Sequence, residues 1–134
     1  MSLIRENNTM RITFEDDTWK EGVEGIISVT DGTTPFYTAD TWQIDGVNTL
    51  RSGQIGNSGI SETTLSVTLT ESGSIAFSYI VSSENNYDWL HVLVDGTEVL
   101  KKSGTGITNF TEFTYDLTAG THTIVLRYTK DGSQ

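Results

Sequence analysis

The C-terminal half of the chain alternates between apolar and polar residues. In residues 62–70, Leu65, Val67 and Leu69 fall on one face of the segment, while Ser66 and Thr68 fall on the other. Further stretches repeat the alternation, at residues 74–81, 89–94, 110–117 and 122–129. A two-residue period is that of a β-strand with one buried face. The pattern therefore predicts a series of short strands.

Turn signals separate these stretches. Asp95-Gly96 follows residues 89–94 and predicts a type I′ hairpin with a return strand at 97–101. Glu71-Ser72-Gly73 predicts a second hairpin, which would join residues 62–70 to residues 74–81. Weaker strand patterns occur upstream, at residues 10–14, 26–29, 37–44 and 49–51.

Short strands separated by turn signals predict an all-β fold, a two-sheet antiparallel β-sandwich of the jelly-roll type. Residues 10–134 are expected to form a single domain. Residues 1–9 are mostly polar, and they are predicted to be a flexible N-terminal tail.

The composition limits the classes of partner. The chain has 134 residues, enough for one domain with a core, and its 18 acidic and 8 basic residues give a net charge of −10. Binding to nucleic acid needs clustered Lys and Arg, so this balance argues against it. The absence of cysteine excludes disulfides. No apolar run reaches the roughly 18 residues that span a membrane.

No catalytic constellation stands out. Both histidines fall on predicted strands, His122 on the core-facing set and His91 on the opposite face. The run Gly56-Asn57-Ser58-Gly59 resembles a nucleophile elbow, but its second glycine comes one place too early and no helix pattern follows. A pair of carboxylates for glycoside hydrolysis stays open, because acidic residues are plentiful. The prediction is a protein without catalytic activity.

Two kinds of binding site have candidate residues. Hard cations such as Ca²⁺ prefer carboxylate and carbonyl oxygens, and acidic residues are dense in the N-terminal half: Glu15, Asp16, Asp17, Asp31, Asp40 and Asp45. The alternative is that these are solvated turn residues. Glycan binding needs exposed aromatic rings beside polar groups, and Trp19, Trp42, Tyr87 and Trp89 are candidates. For Trp89 the alternative is packing.

Several motifs carry a resemblance over residues 10–131. They are residues 82–90, Val94-Asp95-Gly96, Ser103-Gly104, Gly120-Thr121-His122-Thr123, residues 127–131, Thr13-Phe14-Glu15, Trp42 and Leu50-Arg51-Ser52-Gly53. Together they resemble the MAM-like and cleaved-adhesin jelly rolls of bacterial surface proteins and related domains of phage tail proteins.

The resemblance implies a module for adhesion or ligand binding, often with structural Ca²⁺. It places the first-strand acid of that family on Glu15, with Asp16 and Asp40 as further metal ligands. Tyr87, Asp88, Trp89 and Trp42 are the predicted ligand contacts. Such a module is extracellular, on a cell surface or a virion.

The expected partner is a cell-surface glycan or protein, and neither nucleic acid nor membrane insertion is expected. The alternative is a structural domain of a homo-oligomer or of a larger chain. Members of this family continue past the Tyr128-Thr129-Lys130-Asp131 stretch into a further strand, which this sequence does not contain. That difference predicts a sheet edge covered by another chain or segment.

Overall fold

A computed structural model describes residues 1–6, 8–15, 17–44, 47–53, 55–56, 59–81, 88–104 and 110–130; for residues 2, 17–18, 40–44 and 47–48 it describes the backbone alone. The strands are β1 Ser2–Glu6, β2 Thr9–Thr13, β3 Ile27–Asp31, β4 Tyr37–Ile44, β5 Val47–Arg51, β6 Ile60–Leu69, β7 Gly73–Tyr79, β8 Trp89–Val94, β9 Thr97–Lys102, β10 Thr111–Leu117 and β11 Gly120–Thr129. A short 3-10 helix spans Asp17–Glu21. Within the described ranges, no helix is long and apolar enough to cross a membrane.

The strands form two large sheets, which confirms the predicted β-sandwich. The four-stranded sheet has the order β1-β2-β7-β10, and the five-stranded sheet has the order β3-β6-β11-β8-β9. Neighbours are antiparallel except for β2 and β7, which pair in parallel over three residues starting at Thr9 and Ser74. Strands β4 and β5 form a separate two-stranded sheet.

The core lies between the two sheets and takes the apolar set of each alternating strand. Ile75, Phe77 and Phe113 come from the four-stranded sheet, and Leu65 and Ile124 come from the five-stranded one. All five side chains are buried. Removing apolar surface from water is the main favourable contribution to folding, so the two inner faces hold the sheets together.

The two predicted hairpins have different outcomes. The β8–β9 hairpin is confirmed, and both turn residues have positive φ, 50° at Asp95 and 84° at Gly96, as a type I′ turn requires. The predicted hairpin between β6 and β7 is wrong. Strand β6 pairs with β3 and β11, whereas β7 pairs with β2 and β10, so residues 70–72 carry the chain from one sheet to the other.

The N-terminal segment also differs from the prediction. Residues 1–9 were expected to be a flexible tail, but Ser2–Glu6 forms β1 and pairs antiparallel with β2. The physical reason is that Leu3, opposite Ile12, packs against the core. Burial of that side chain offsets the conformational entropy lost when the segment is ordered.

Two buried polar side chains on β6 hold the loop that precedes β4. Ser61 Oγ accepts a hydrogen bond from the Gly53 amide and donates one to the Thr34 carbonyl, each at 2.7 Å. Thr63 Oγ1 accepts a hydrogen bond from the Phe36 amide at 2.9 Å. A Cβ at Gly53 would lie 2.5 Å from the Thr34 carbonyl oxygen, so this close approach requires glycine.

We expect Ser61→Ala to lower the free energy of unfolding by about 1–3 kcal/mol, because the buried Gly53 amide would be left without a partner. Urea denaturation measures the change. Ser66→Ala, on the opposite face of the same strand, is the matched control and should change stability by less than about 0.5 kcal/mol. Equal effects of the two substitutions would contradict the role given to Ser61.

Candidate functional site

The outer face of the five-stranded sheet carries the most varied chemistry of the described residues. On β8, Trp89 and His91 point away from the core, because Leu90 and Val92 point towards it. The register places Thr129 of β11 beside Trp89. We call this surface the Trp89 face; it comprises Ile60, Glu62, Trp89, His91, Glu98, Lys101, Arg127 and Thr129.

Hydrogen bonds tie the polar members of the Trp89 face to one another. Arg127 Nε donates to Glu62 Oε2 at 2.6 Å, and these side chains are 34% and 28% exposed. His91 pairs through Nδ1 with the Glu98 carboxylate, and its Nε2 lies 3.0 Å from the Thr129 hydroxyl. Both carboxylates of the face are therefore engaged by a basic group of the same face.

Trp89 and Lys101 make a cation–π contact on this face. The Lys101 ammonium lies 4.3 Å from the centroid of the Trp89 ring. Trp89 is partly exposed, whereas Lys101 is exposed. An exposed cation–π contact contributes about 0.5–1 kcal/mol, so a ligand that stacks on the ring can displace the ammonium or share it at a small cost.

The outer face of the four-stranded sheet differs from the Trp89 face. It carries Arg11, which pairs with the Glu112 carboxylate across β7 and also lies 3.7 Å from Glu6. The hydrogen bond with Glu112 raises the pKa of Arg11, and the same hydrogen bond lowers the pKa of Glu112. Ile4 is the large exposed apolar residue of this face. Among its described side chains, this outer face has no aromatic ring.

The predicted ligand contacts have separate outcomes. Trp89 lies on the outer face, as its place in the alternation indicated. Asp88 is only 2% exposed and accepts a hydrogen bond from Lys130 Nζ at 3.3 Å, and its role as a ligand contact stays a prediction. Tyr87 lies outside the described residues. Trp42 falls on β4, where the backbone alone is described.

Trp19, another aromatic candidate, is a core residue. The 3-10 helix Asp17–Glu21 carries it into the sandwich, where it is 1% exposed and packs edge-on against Phe14 with ring centroids 6.0 Å apart. It has no accessible ring face to offer a ligand.

Of the three predicted calcium ligands, Glu15 alone has a described side chain. Glu15 is 26% exposed and accepts a hydrogen bond from the Thr13 hydroxyl at 2.8 Å. Asp16 lies outside the described residues, and Asp40 falls on β4, where the side chain is not described. The described side chains include no group of three or more His, Asp or Glu suited to a metal ion. The Ca²⁺ site stays a prediction of the family resemblance.

A second polar cluster lies at the turn between β8 and β9. Asp95 Oδ2 lies 2.6 Å from His122 Nδ1, and Asp95 Oδ1 accepts a hydrogen bond from the Thr123 amide at 2.9 Å. His122 Nε2 lies 2.8 Å from the carbonyl oxygen of Thr118, which follows β10. When His122 is protonated, both ring nitrogens can donate, and the imidazolium joins the turn to the β10–β11 connection.

These contacts shift both pKa values. The hydrogen bond to Asp95 and then the one to the Thr118 carbonyl raise the pKa of His122. The hydrogen bond from His122 and then the one from the Thr123 amide lower the pKa of Asp95. The sequence placed His122 on the core-facing set but did not reveal this partner, because no local pattern joins a turn aspartate to a histidine two strands later.

No family model and no curated protein matches this chain. Among solved structures, the chain is similar to part of a cycloisomaltooligosaccharide glucanotransferase from Paenibacillus sp., whose structure was determined in complex with cycloisomaltoheptaose. The TM-score is 0.42 and the sequence identity is 16%. The match covers 80% of this chain and 18% of the glucanotransferase chain. What the domain binds has to follow from its own residues.

The His122–Asp95 pair should make stability depend on pH. Its raised pKa means that His122 contributes fully below its unfolded value of 6.5 and loses that contribution as pH rises through the folded pKa. Asp95 contributes above its unfolded value of 3.8 and loses it as pH falls through the folded pKa. The pair therefore stabilises most between these two unfolded values.

We expect the melting temperature of His122→Gln to fall further below that of the unsubstituted protein at about pH 5.5 than at about pH 9. Asp95→Asn should show the same trend, since asparagine tolerates positive φ and removes only the charge. Thermal melts at both pH values measure the gap. A gap that is constant with pH would mean that the pair does not titrate as described.

Proposed function

We propose that this domain is a non-catalytic binding module that recognises a cell-surface glycan through the Trp89 face, as part of an extracellular, cell-surface or virion protein. One observation carries the proposal. A partly exposed tryptophan lies on the outer face of a sheet, with hydrogen-bonding side chains beside it on neighbouring strands.

The chemistry of the Trp89 face suits a sugar. A sugar ring presents C–H groups on its faces and hydroxyls around its edge, so a site for it needs an apolar surface with donors and acceptors at the side. The Trp89 ring is such a surface. Arg127 supplies donors, Glu62 and Glu98 supply acceptors, and the Thr129 hydroxyl can do either.

The sheet holds these groups in place before a ligand arrives. Trp89 and Thr129 are paired across β8 and β11, and Arg127 is fixed by its hydrogen bond to Glu62. A group that is already ordered loses less conformational entropy on binding, which favours affinity.

We also propose that the domain has no catalytic activity, because the two carboxylates of the Trp89 face are paired with basic side chains. Glycoside hydrolysis requires one protonated carboxylic acid and a second carboxylate on either side of the bond that breaks. On the Trp89 face, Glu62 is bound to Arg127 and Glu98 is bound to His91. Both carboxylates thus help to order the face.

Binding to a glycan array tests the proposal. We expect Trp89→Ala to weaken binding at least roughly tenfold and Trp89→Phe to weaken it less, because phenylalanine keeps an aromatic face. Thr114→Ala, on the outer face of the other sheet, is the control and should bind as the unsubstituted protein does. Melting curves establish that each variant is folded.

Two outcomes would contradict the proposal. One is an array with no signal above background. The other is a glycan signal that Trp89→Ala leaves unchanged. Binding to a protein of the target cell surface that survives enzymatic deglycosylation would replace the glycan with a protein partner.

A second candidate function is assembly with a further copy of the chain. Strand β1 is an edge of the four-stranded sheet, and its Ile4 side chain is 47% exposed. Strand β9, an edge of the other sheet, carries the charged residues Glu98, Lys101 and Lys102, which oppose strand-to-strand association. In β1 the charged residues Arg5 and Glu6 lie at one end, and the uncharged run Ser2, Leu3 and Ile4 favours pairing between copies there.

Light scattering at several protein concentrations tests this second function. If copies pair through β1, the mass should exceed that of one chain, and Ile4→Lys should return it to the monomer value, because a charge on the edge opposes pairing. Ile60→Lys, at the other large exposed apolar residue, is the matched control and should leave the mass unchanged. A monomer at all concentrations would remove the assembly function.

A further inference from the structure

We infer that the saccharide recognised by the Trp89 face is acidic, carrying a carboxylate or a sulfate that pairs with Lys101. This inference rests on the proposed function, since it names the ligand class of the same face. It is carried by the charge state of that face rather than by its aromatic ring.

Lys101 is the positive charge of the Trp89 face that has no carboxylate partner there. Arg127 is paired with Glu62, and His91 is paired with Glu98. For the Lys101 ammonium, the described residues provide the face of the Trp89 ring and no carboxylate within 4.0 Å. A ring quadrupole attracts a cation but does not neutralise it. The ammonium keeps its capacity to bind an anion.

Basic residues are concentrated around this position. The chain has 8 Lys and Arg residues against 18 acidic ones. Half of the basic residues lie on β9 and at the end of β11: Lys101, Lys102, Arg127 and Lys130. On the Trp89 face itself, Lys101 and Arg127 balance the carboxylates Glu62 and Glu98, whereas the whole chain has a net charge of −10.

The net charge of −10 does not prevent an anion from binding here. At physiological ionic strength, exposed charges are screened beyond about 8 Å, so distant carboxylates contribute little at Lys101. The two carboxylates of the Trp89 face, Glu62 and Glu98, are bonded to Arg127 and His91 and not to Lys101.

Lys101 lies close enough to the Trp89 ring for both side chains to contact the same sugar unit. The ammonium lies 4.3 Å from the ring centroid. A sugar that stacks on this face of the ring takes the place of the ammonium, which then lies beside the sugar, within reach of a carboxylate or sulfate on it. Lys101 can turn towards that anion because its side chain is exposed.

Matched pairs of ligands test the inference. Oligogalacturonate and its methyl ester share a sugar ring and differ in the carboxylate, and sialyllactose and its methyl ester form a second pair. An exposed ion pair is worth up to roughly 1 kcal/mol, about a fivefold change in Kd. We expect the acidic member of at least one matched pair on the array to bind about fivefold more tightly than its neutral partner.

Two variants test whether Lys101 causes the preference for the acidic ligand. Lys101→Met keeps an unbranched apolar side chain over the ring and removes the charge, so it should bring the ratio of the two Kd values within a matched pair to about one. Lys102→Met removes the neighbouring charge, which lies on the other side of β9, and should keep the preference. If both variants lose it equally, the specific role of Lys101 is overturned.

The failure of this inference can be told apart from the failure of the proposed function. Equal affinity of the unsubstituted protein for acidic and neutral members of every bound pair overturns the acidic ligand alone, while glycan binding stands. An array of acidic and neutral glycans that gives no signal at all removes both.

Discussion

The pairing of β11 on both of its edges is the constraint on which the rest of the structure depends. Gly120–Thr129 pairs with β6 along its whole length and with β8 over its second half. In this register Ile124 and Leu126 enter the core, while Arg127 and Thr129 face outwards. A slip of one residue would exchange these two sets. The same hydrogen-bond ladder therefore fixes the core and the candidate binding face together.

Much of the fold could be predicted because local patterns encode it. The alternation in β6, β8 and β11 reports which side of each strand is buried, and Asp95-Gly96 reports the turn that follows β8. The β6–β7 connection could not be predicted in the same way. A short loop containing glycine between two alternating strands serves a hairpin or a crossing between sheets equally well. Pairing partners distant in sequence decide between them.

The candidate site could be predicted only in part, for the same reason. The outward position of Trp89 follows from counting along β8. Its neighbours do not, because Arg127 meets Glu62 from 65 residues away, and only the register of β6 against β11 brings them together. Asp88 next to Trp89 looked equally available in the sequence. In the structure it is buried, and Lys130, far along the chain, donates a hydrogen bond to it.

The parallel pairing of β2 with β7 has a consequence for the order in which the strands fold. Strand β2 is synthesised well before β7, its parallel neighbour in the four-stranded sheet. Closing so long a loop costs entropy before any contact repays it, so we expect the β1–β2 hairpin to wait until β7 has met β10. Of the strands of this sheet, the two made first would then be the last to join it.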